Sequence, residues 1–357
     1  MRLLFSLFLT AFCSCLLAQK APNHFQLISP DAVVLPETAR REMEPLKYTA
    51  FTLNYDALIA QLSQAPREFS AEAKSRVCLV TLPMADGTME EFIVQKTSPM
   101  APSLEAQHPE ILTLTGSSLR TPGLHVRITS TPVWGLKAMI LRADKGIERL
   151  RPVALGQNQY YMAYDPIYEP KNPLEGTLKA QFERPSDLSN LTEAKTPRFS
   201  LGQAKPEDGE LFEKEVVLKV YKFACACTGE FSQDNGGTKD AVFQKVTEIT
   251  NDLNAIYERD INIKLELIPE SYDIIFLDPV TDPYPGTDVF GWMNANPSAM
   301  FNVLGVDTKY DVGHVFAKFL GGTAIGVAGG TCCTQTKGRG CSAGYIPYDN
   351  FFFTVVG

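Results

Sequence analysis

Glu215-Val216-Val217-Leu218-Lys219-Val220-Tyr221-Lys222-Phe223-Ala224 is a β-prone run that turns to alternation and ends near Thr228-Gly229. Thr238 then stands where a helix cap belongs, and Asp240 falls in the first turn, where the helix dipole favours a negative charge. Val242, Val246, Ile249, Leu253 and Ile256 recur at steps of three and four, so one apolar stripe runs along a helix to about Asp260. Ile261-Asn262-Ile263-Lys264-Leu265-Glu266-Leu267-Ile268 alternates as a strand directly after it. Strand, long helix, strand is a βαβ unit, which demands parallel pairing and a right-handed crossover.

Downstream, Leu277 to Thr287 reads as a proline-rich loop, and its aspartates Asp278 and Asp282 lack EF-hand spacing. Val289 to Leu304 reads as a helix. Tyr310-Asp311-Val312-Gly313-His314-Val315-Phe316 reads as a third parallel strand, with His314 a residue satisfied inside the core. Gly321 to Gly330 is glycine-rich and precedes Cys332-Cys333. It has no GxxxxGK followed by Ser or Thr and no helix directly after it, which argues against a phosphate loop. Lys337-Gly338-Arg339-Gly340-Cys341 is turn-rich, and Tyr348-Asp349-Asn350 leads into Phe351-Phe352-Phe353-Thr354-Val355-Val356.

The order of these pieces resembles the reprolysin-like (adamalysin-like) branch of the metzincin zinc metalloproteases, in a bacterial secreted form. The resemblance implies an α/β catalytic domain with a mixed sheet, a βαβ core and an antiparallel edge strand. That strand would border the cleft, and Gly322, Thr323, Ala324, Ile325 and Gly326 would offer backbone groups to an extended peptide substrate. Asp311 falls where some reprolysins place a calcium-binding aspartate, so calcium is a possible ligand. Cys332 or Cys333 matches a cysteine that in relatives pairs beyond the zinc helix. In the family, the HExxHxxGxxH helix holds zinc by its histidines, and its glutamate deprotonates the bound water. No HExxH occurs in the 357 residues. Phe351 to Val356, capped by Asp349, looks like the opening of that helix, so the expectation is an incomplete domain truncated just before the motif. No catalytic residue and no metal ligand is assigned.

Upstream, residues 20–181 read as an antiparallel β domain, making the whole chain α+β. Arg76 to Leu82 and Glu91 to Gln95 form a hairpin around Asp86-Gly87. Leu124 to Thr129, Val133 to Leu141 and Tyr160 to Tyr164 are further strands, with one minor helix over Tyr55 to Leu62. Ser98-Pro99-Met100-Ala101-Pro102-Ser103-Leu104, His108 to Ile111 and Thr115-Gly116 resemble the N-terminal domain that precedes the catalytic domain in these bacterial proteases. The resemblance implies a pro-domain or folding aid; a passive β module is the other reading. Cys78 reads as a small apolar residue in a strand, the alternative being a thiol that covers a zinc site. His24, His108 and His125 show no ligand spacing. Residues 182–211 have linker composition. On a strand Cys225 and Cys227 point the same way, and CxC with CC is no recognisable zinc spacing.

Arg2 and the apolar run Leu3 to Leu17 make residues 1–19 a secretory signal, with lipidation of Cys15 the less favoured alternative. The mature protein is then expected outside the cytoplasm, secreted or periplasmic, where disulfides are allowed. A net charge of −8 argues against nucleic acid or an anionic membrane as partner. Apolar content of 45% and charged content of 21% fit a globular protein long enough for two cores. By resemblance the function is zinc-dependent endoproteolysis of extracellular proteins or peptides, with this chain itself incompetent. The alternative is a non-catalytic secreted peptide-binding or surface adhesion protein. No G-x-S-x-G is present to suggest another hydrolase.

Overall fold

The computed structural model of the protein describes residues 21–143, 146–170, 179–182, 217–321, 324–329 and 336–344. The expected signal, most of the linker, Gly322, Thr323, Cys332, Cys333 and the run from Asp349 onward lie outside the described residues.

Nine strands make the first sheet: β1 (Phe25–Ile28), β2 (Thr49–Leu53), β3 (Cys78–Pro83), β4 (Met89–Lys96), β5 (Leu112–Ser118), β6 (His125–Thr131), β7 (Gly135–Arg142), β8 (Gly146–Pro152) and β9 (Tyr160–Tyr164). Their order is β1-β2-β9-β8-β7-β6-β5-β4-β3, and every pairing is antiparallel. The expected hairpin is β3–β4, closed by Gly87 at φ 86°, a backbone angle that favours glycine. Helix α1 (Tyr55–Leu62) opens with the Asn54 side chain accepting from Ala57 N–H, and it buries Leu58 and Leu62. These join Val80, Leu82, Phe92, Val126, Ile128, Leu136, Ile140 and Leu150 in one core on one face of the sheet. A short helix, α2 (Pro102–Glu105), follows the Ser98–Met100 turn.

The second sheet holds β10 (Lys179–Phe182), β11 (Lys219–Cys227), β12 (Ile263–Leu267), β13 (Val312–Lys318), β14 (Ala324–Ala328) and β15 (Gly340–Gly344), in the order β10-β14-β15-β13-β11-β12. The helices of this part are α3 (Gly229–Asp234), α4 (Lys239–Ile261) and α5 (Val289–Leu304). β11, α4 and β12 are the expected βαβ unit, with β11 parallel to both β12 and β13. Thr238 caps α4 by accepting from Ala241 N–H, and the helix ends on Asn262 at φ 55°. Asparagine tolerates that left-handed conformation better than most residues, and its N–H closes the last turn onto Tyr257. The turn-rich reading of Lys337 to Cys341 is extended by the structure: a turn over residues 336–338 feeds β15, whose small residues sit fully buried.

The apolar stripe of α4 does what periodicity predicts. Val242, Val246 and Leu253 pack on Phe223, Cys225, Leu265 and Leu267 of the second sheet. Each such side chain contributes roughly 1.5–3 kcal/mol on burial. The opposite side of the helix is buried too. Gln244, Lys245, Glu248 and Asn251 lie against the second face of the first sheet, where β6, β7 and β8 present Arg127, Lys137, Arg149 and Arg151. The helix is therefore sandwiched between the two sheets. Its polar side is paired with the first sheet, Lys137 with Glu248, Arg149 with Asp252 and Arg127 with Glu258, while Lys245 pairs with Glu248 within the helix. Asn251 Nδ2 donates to Ile128 O at 3.2 Å and Thr129 Oγ1 at 2.9 Å, and Trp134 Nε1 donates to Ala241 O at 2.8 Å. A second junction lies at Leu267, whose N–H donates to Pro99 O at 2.7 Å while its carbonyl accepts from Ala101 N–H at 2.9 Å. The Ser98–Leu104 stretch thus adds itself to the outer edge of β12.

Candidate substrate-binding edge

β14 is placed by a chain of contacts that begins at α5. Asp288 caps this helix, its Oδ1 accepting from Phe290 and Gly291 N–H at 2.9 and 3.0 Å. Asn296, fully buried in the helix, accepts from Tyr284 Oη at 2.8 Å and donates to Gly338 O at 2.7 Å. Arg339 donates to Asn294 Oδ1 at 2.6 Å. These bonds hold the 336–339 turn on α5 and so fix where β15 starts. β15 then pairs parallel with β13 and antiparallel with β14, with Gly326 opposite Ser342 and Val327 opposite Cys341. Gly329 N–H donates to Arg339 O at 2.8 Å and closes the β14–β15 ladder.

Of the residues expected at the substrate edge, Ala324, Ile325 and Gly326 lie on β14; Gly322 and Thr323 lie outside the described residues. The antiparallel orientation of β14 is as expected. Ala324, Gly326 and Val327 are buried, while Ile325 and Ala328 are half-buried. The strand is not the outermost one. β10 runs parallel to it along its outer side, pairing Lys179 with Ala324, Ala180 with Gly326, Gln181 with Val327 and Phe182 with Ala328. Nothing in the composition of Lys179 to Phe182 pointed to this pairing.

His314 lies on β13 with Nε2 2.8 Å from Ser342 Oγ, its ring near Phe223 and Phe316. Burial pushes its pKa down to about 4, so the imidazole is neutral. A Cβ on Gly340 would collide with His314 Nδ1, which explains a glycine at the first position of β15. His24 pairs with Gln61, His108 with Glu110, and His125 with Ser117. Asp311, the possible calcium ligand, uses its carboxylate on Lys222 N–H at 2.9 Å. Asp282 accepts from Gly229 N–H at 2.6 Å and Tyr284 N–H at 3.0 Å, and Asp278 accepts from Val280 N–H at 2.9 Å. Asp278 serves its own loop, Asp282 also ties that loop to the start of α3, and Asp311 ties the start of β13 to β11.

Cys78, Cys225, Cys227 and Cys341 are buried thiols. Burial raises the pKa of each, which disfavours the thiolate that exchange needs. Cys225 and Cys227 share the α4 side of the sheet, whereas Cys341 lies on the α5 side. Cys78 packs in the first core, its thiol directed at Gln61 O. Among the described residues no three His, Cys, Asp or Glu side chains converge to hold a metal ion. The donors among these residues therefore do not fit a zinc ion.

The mixed sheet, its βαβ core and the antiparallel strand β14 agree with the arrangement expected from the sequence, except that β10 covers β14. Residues 217–356 match the family described as metallo-peptidase family M12B, reprolysin-like. Over these residues the chain is similar to reprolysin-like metallopeptidases. No curated protein matches the chain.

Proposed function

We propose that the second sheet is the peptide-binding part of a secreted zinc metalloendopeptidase domain, and that these 357 residues bind substrate without hydrolysing it. The observation that carries this reading is the reprolysin-like match over residues 217–356, in a sequence that contains no HExxH. β14 supports it by its direction against β15 and by its small side chains, Ala324, Gly326 and Ala328, which let another backbone come close. Extracellular protein or peptide is the proposed substrate class, and residues 1–19 are proposed to direct export. No helix among the described residues is long and apolar enough to cross a membrane.

The residues of the first sheet act here as a folding partner. Without them, the neighbouring Val133 and Glu42, which precedes β2, α4 would expose a face built from Gln244, Lys245, Glu248 and Asn251 whose partners are Val133, Glu42, Lys137, Ile128 and Thr129. The other reading is a non-catalytic secreted peptide-binding or surface adhesion protein, which the β14 edge would also serve, because binding by strand addition needs no metal. The test is zinc content with proteolysis. The purified chain is expected to hold no stoichiometric zinc and to leave casein intact. One zinc per chain together with chelator-sensitive cleavage would overturn the proposal.

A further inference from the structure

Both sides of the second sheet are closed by residues that precede β11 in the chain. At β12 the closure is Pro99 to Ala101, bonded through both backbone groups of Leu267. It is anchored by Met100, which is 2% exposed in the core shared with α4. At β14 the closure is β10, and its construction differs. It is four residues long and parallel, and its register shifts between Lys179 and Ala180. Parallel pairing is slightly weaker per residue than antiparallel pairing, and a register shift leaves the ladder locally incomplete. One closure is anchored by the buried Met100, and the other pairs along β14 in a short parallel ladder with a shifted register.

A sheet edge offers a single row of backbone donors and acceptors, and an added peptide strand needs that same row. Two strands cannot hold it together. We infer that β10 is a built-in occupant of the β14 edge, a strap that an incoming extended peptide must displace before it can pair with Ala324 to Ala328. The inference rests on the proposed reading of β14 as the peptide edge. Because β10 is tethered, it competes at an effective concentration in the millimolar range, so a free peptide of modest affinity is excluded while the strap is seated.

The full chain is compared with its Gln181→Pro/Phe182→Pro variant. Successive N–H groups of a strand point to opposite edges, so one of two adjacent prolines removes a donor that faces β14. The probe is a labelled synthetic peptide with the sequence of residues 177–184, Thr-Leu-Lys-Ala-Gln-Phe-Glu-Arg. Hydrogen exchange of the β14 amides and peptide anisotropy are read together, with the β11 amides reporting integrity of the sheet. Expected are outward β14 amides exchanging at least tenfold faster in the variant, unchanged β11 protection, and at least tenfold tighter peptide binding. Equal β14 exchange and equal peptide affinity in the two proteins overturn the strap. Faster β14 exchange without peptide binding leaves the strap standing and removes the peptide-edge reading. Should the prolines also strip protection from β11, the milder Phe182→Gly variant decides: it must loosen β14 alone, and a failure to do so overturns the proposal.

Discussion

Lys137 Nζ lies 3.1 Å from each carboxylate oxygen of Glu248, although 111 residues separate the two in the chain. The lysine is on β7 of the first sheet and the glutamate on α4 of the second. Both are almost wholly buried, and Lys245, Glu42 and Arg151 complete the cluster around them. Trp134 covers it, with the ammonium groups of Lys245 and Lys137 4.7 and 5.4 Å from its ring centre. A cluster so far from water is held by mutual compensation: the individual charges are costly to bury, and removing one strands the others.

Lys137→Met tests that statement. It leaves Glu248 and Glu42 buried with one cation fewer, and breaking a buried pair typically costs about 3–5 kcal/mol. Urea denaturation should show a loss on that scale. The Lys137→Met/Glu248→Met pair should lose less than the sum of its single variants, because the second change removes the stranded charge. Simple additivity would mean that the two groups do not depend on each other.

Glu42 sets the acid limit of the same cluster. Burial alone would raise its pKa, but Lys137, Lys245 and Arg151 outweigh burial and hold the carboxyl well below its ordinary value of 4.5. The folded protein then binds fewer protons at this site than the unfolded chain does just below that value. The stabilisation is complete above it and is lost as pH falls through the depressed folded pKa. Denaturation midpoints taken from pH 6 down to pH 3 should fall steeply in the lower part of that range. In Glu42→Gln the protein should be weaker at pH 6, and the fall below the ordinary carboxyl value should be shallower.

The sequence made the βαβ unit legible because one stripe, Val242 to Ile256, carried it. Val289 to Leu304 and Tyr55 to Leu62 coincide with α5 and α1. What stayed hidden was long-range. The burial of Gln244, Lys245, Glu248 and Asn251 left no sign, since a helix pattern cannot say that another sheet will supply Lys137 and Thr129. β6 to β8 alternate apolar with charged residues as an open antiparallel sheet would, yet Arg127, Arg149 and Arg151 are buried beneath α4. β10 left no trace because four residues of mixed polarity have no period. The start of β15 reads as a turn because its glycines are there for close approach: Gly340 makes room for His314.

His314 gives a second pH signature, separate from that of Glu42. Its folded pKa is depressed by burial to about 4, from an ordinary value of 6.5. Between those two values the unfolded chain holds a proton that the native protein refuses. Stability is therefore full above about pH 6.5 and declines as pH falls towards 4. At ~1.4 kcal/mol for each tenfold change in proton affinity, the loss is at most about 3 kcal/mol, and roughly 1–3 kcal/mol for a ring with some access to water. His314→Gln should flatten the stability profile between pH 6.5 and 4.5 while keeping a partner for Ser342. A profile as steep as that of the parent would assign the slope to another group.

Gly340→Ala probes the same contact from the other strand. The added Cβ has to displace the His314 ring, which Ser342 holds at Nε2, and it comes 3.1 Å from the backbone carbonyl of Gly313. The ring can yield only by giving up its hydrogen bond, and the carbonyl belongs to β13 and cannot move far. Overpacking of this kind costs typically 1–3 kcal/mol. Because β15 carries the register of β14, the strain should also appear as faster hydrogen exchange along Ala324 to Ala328. In a His314→Ala background the imidazole is gone and only the carbonyl contact remains. There Gly340→Ala should cost clearly less, and an undiminished cost would place the constraint on the backbone of Gly313 instead.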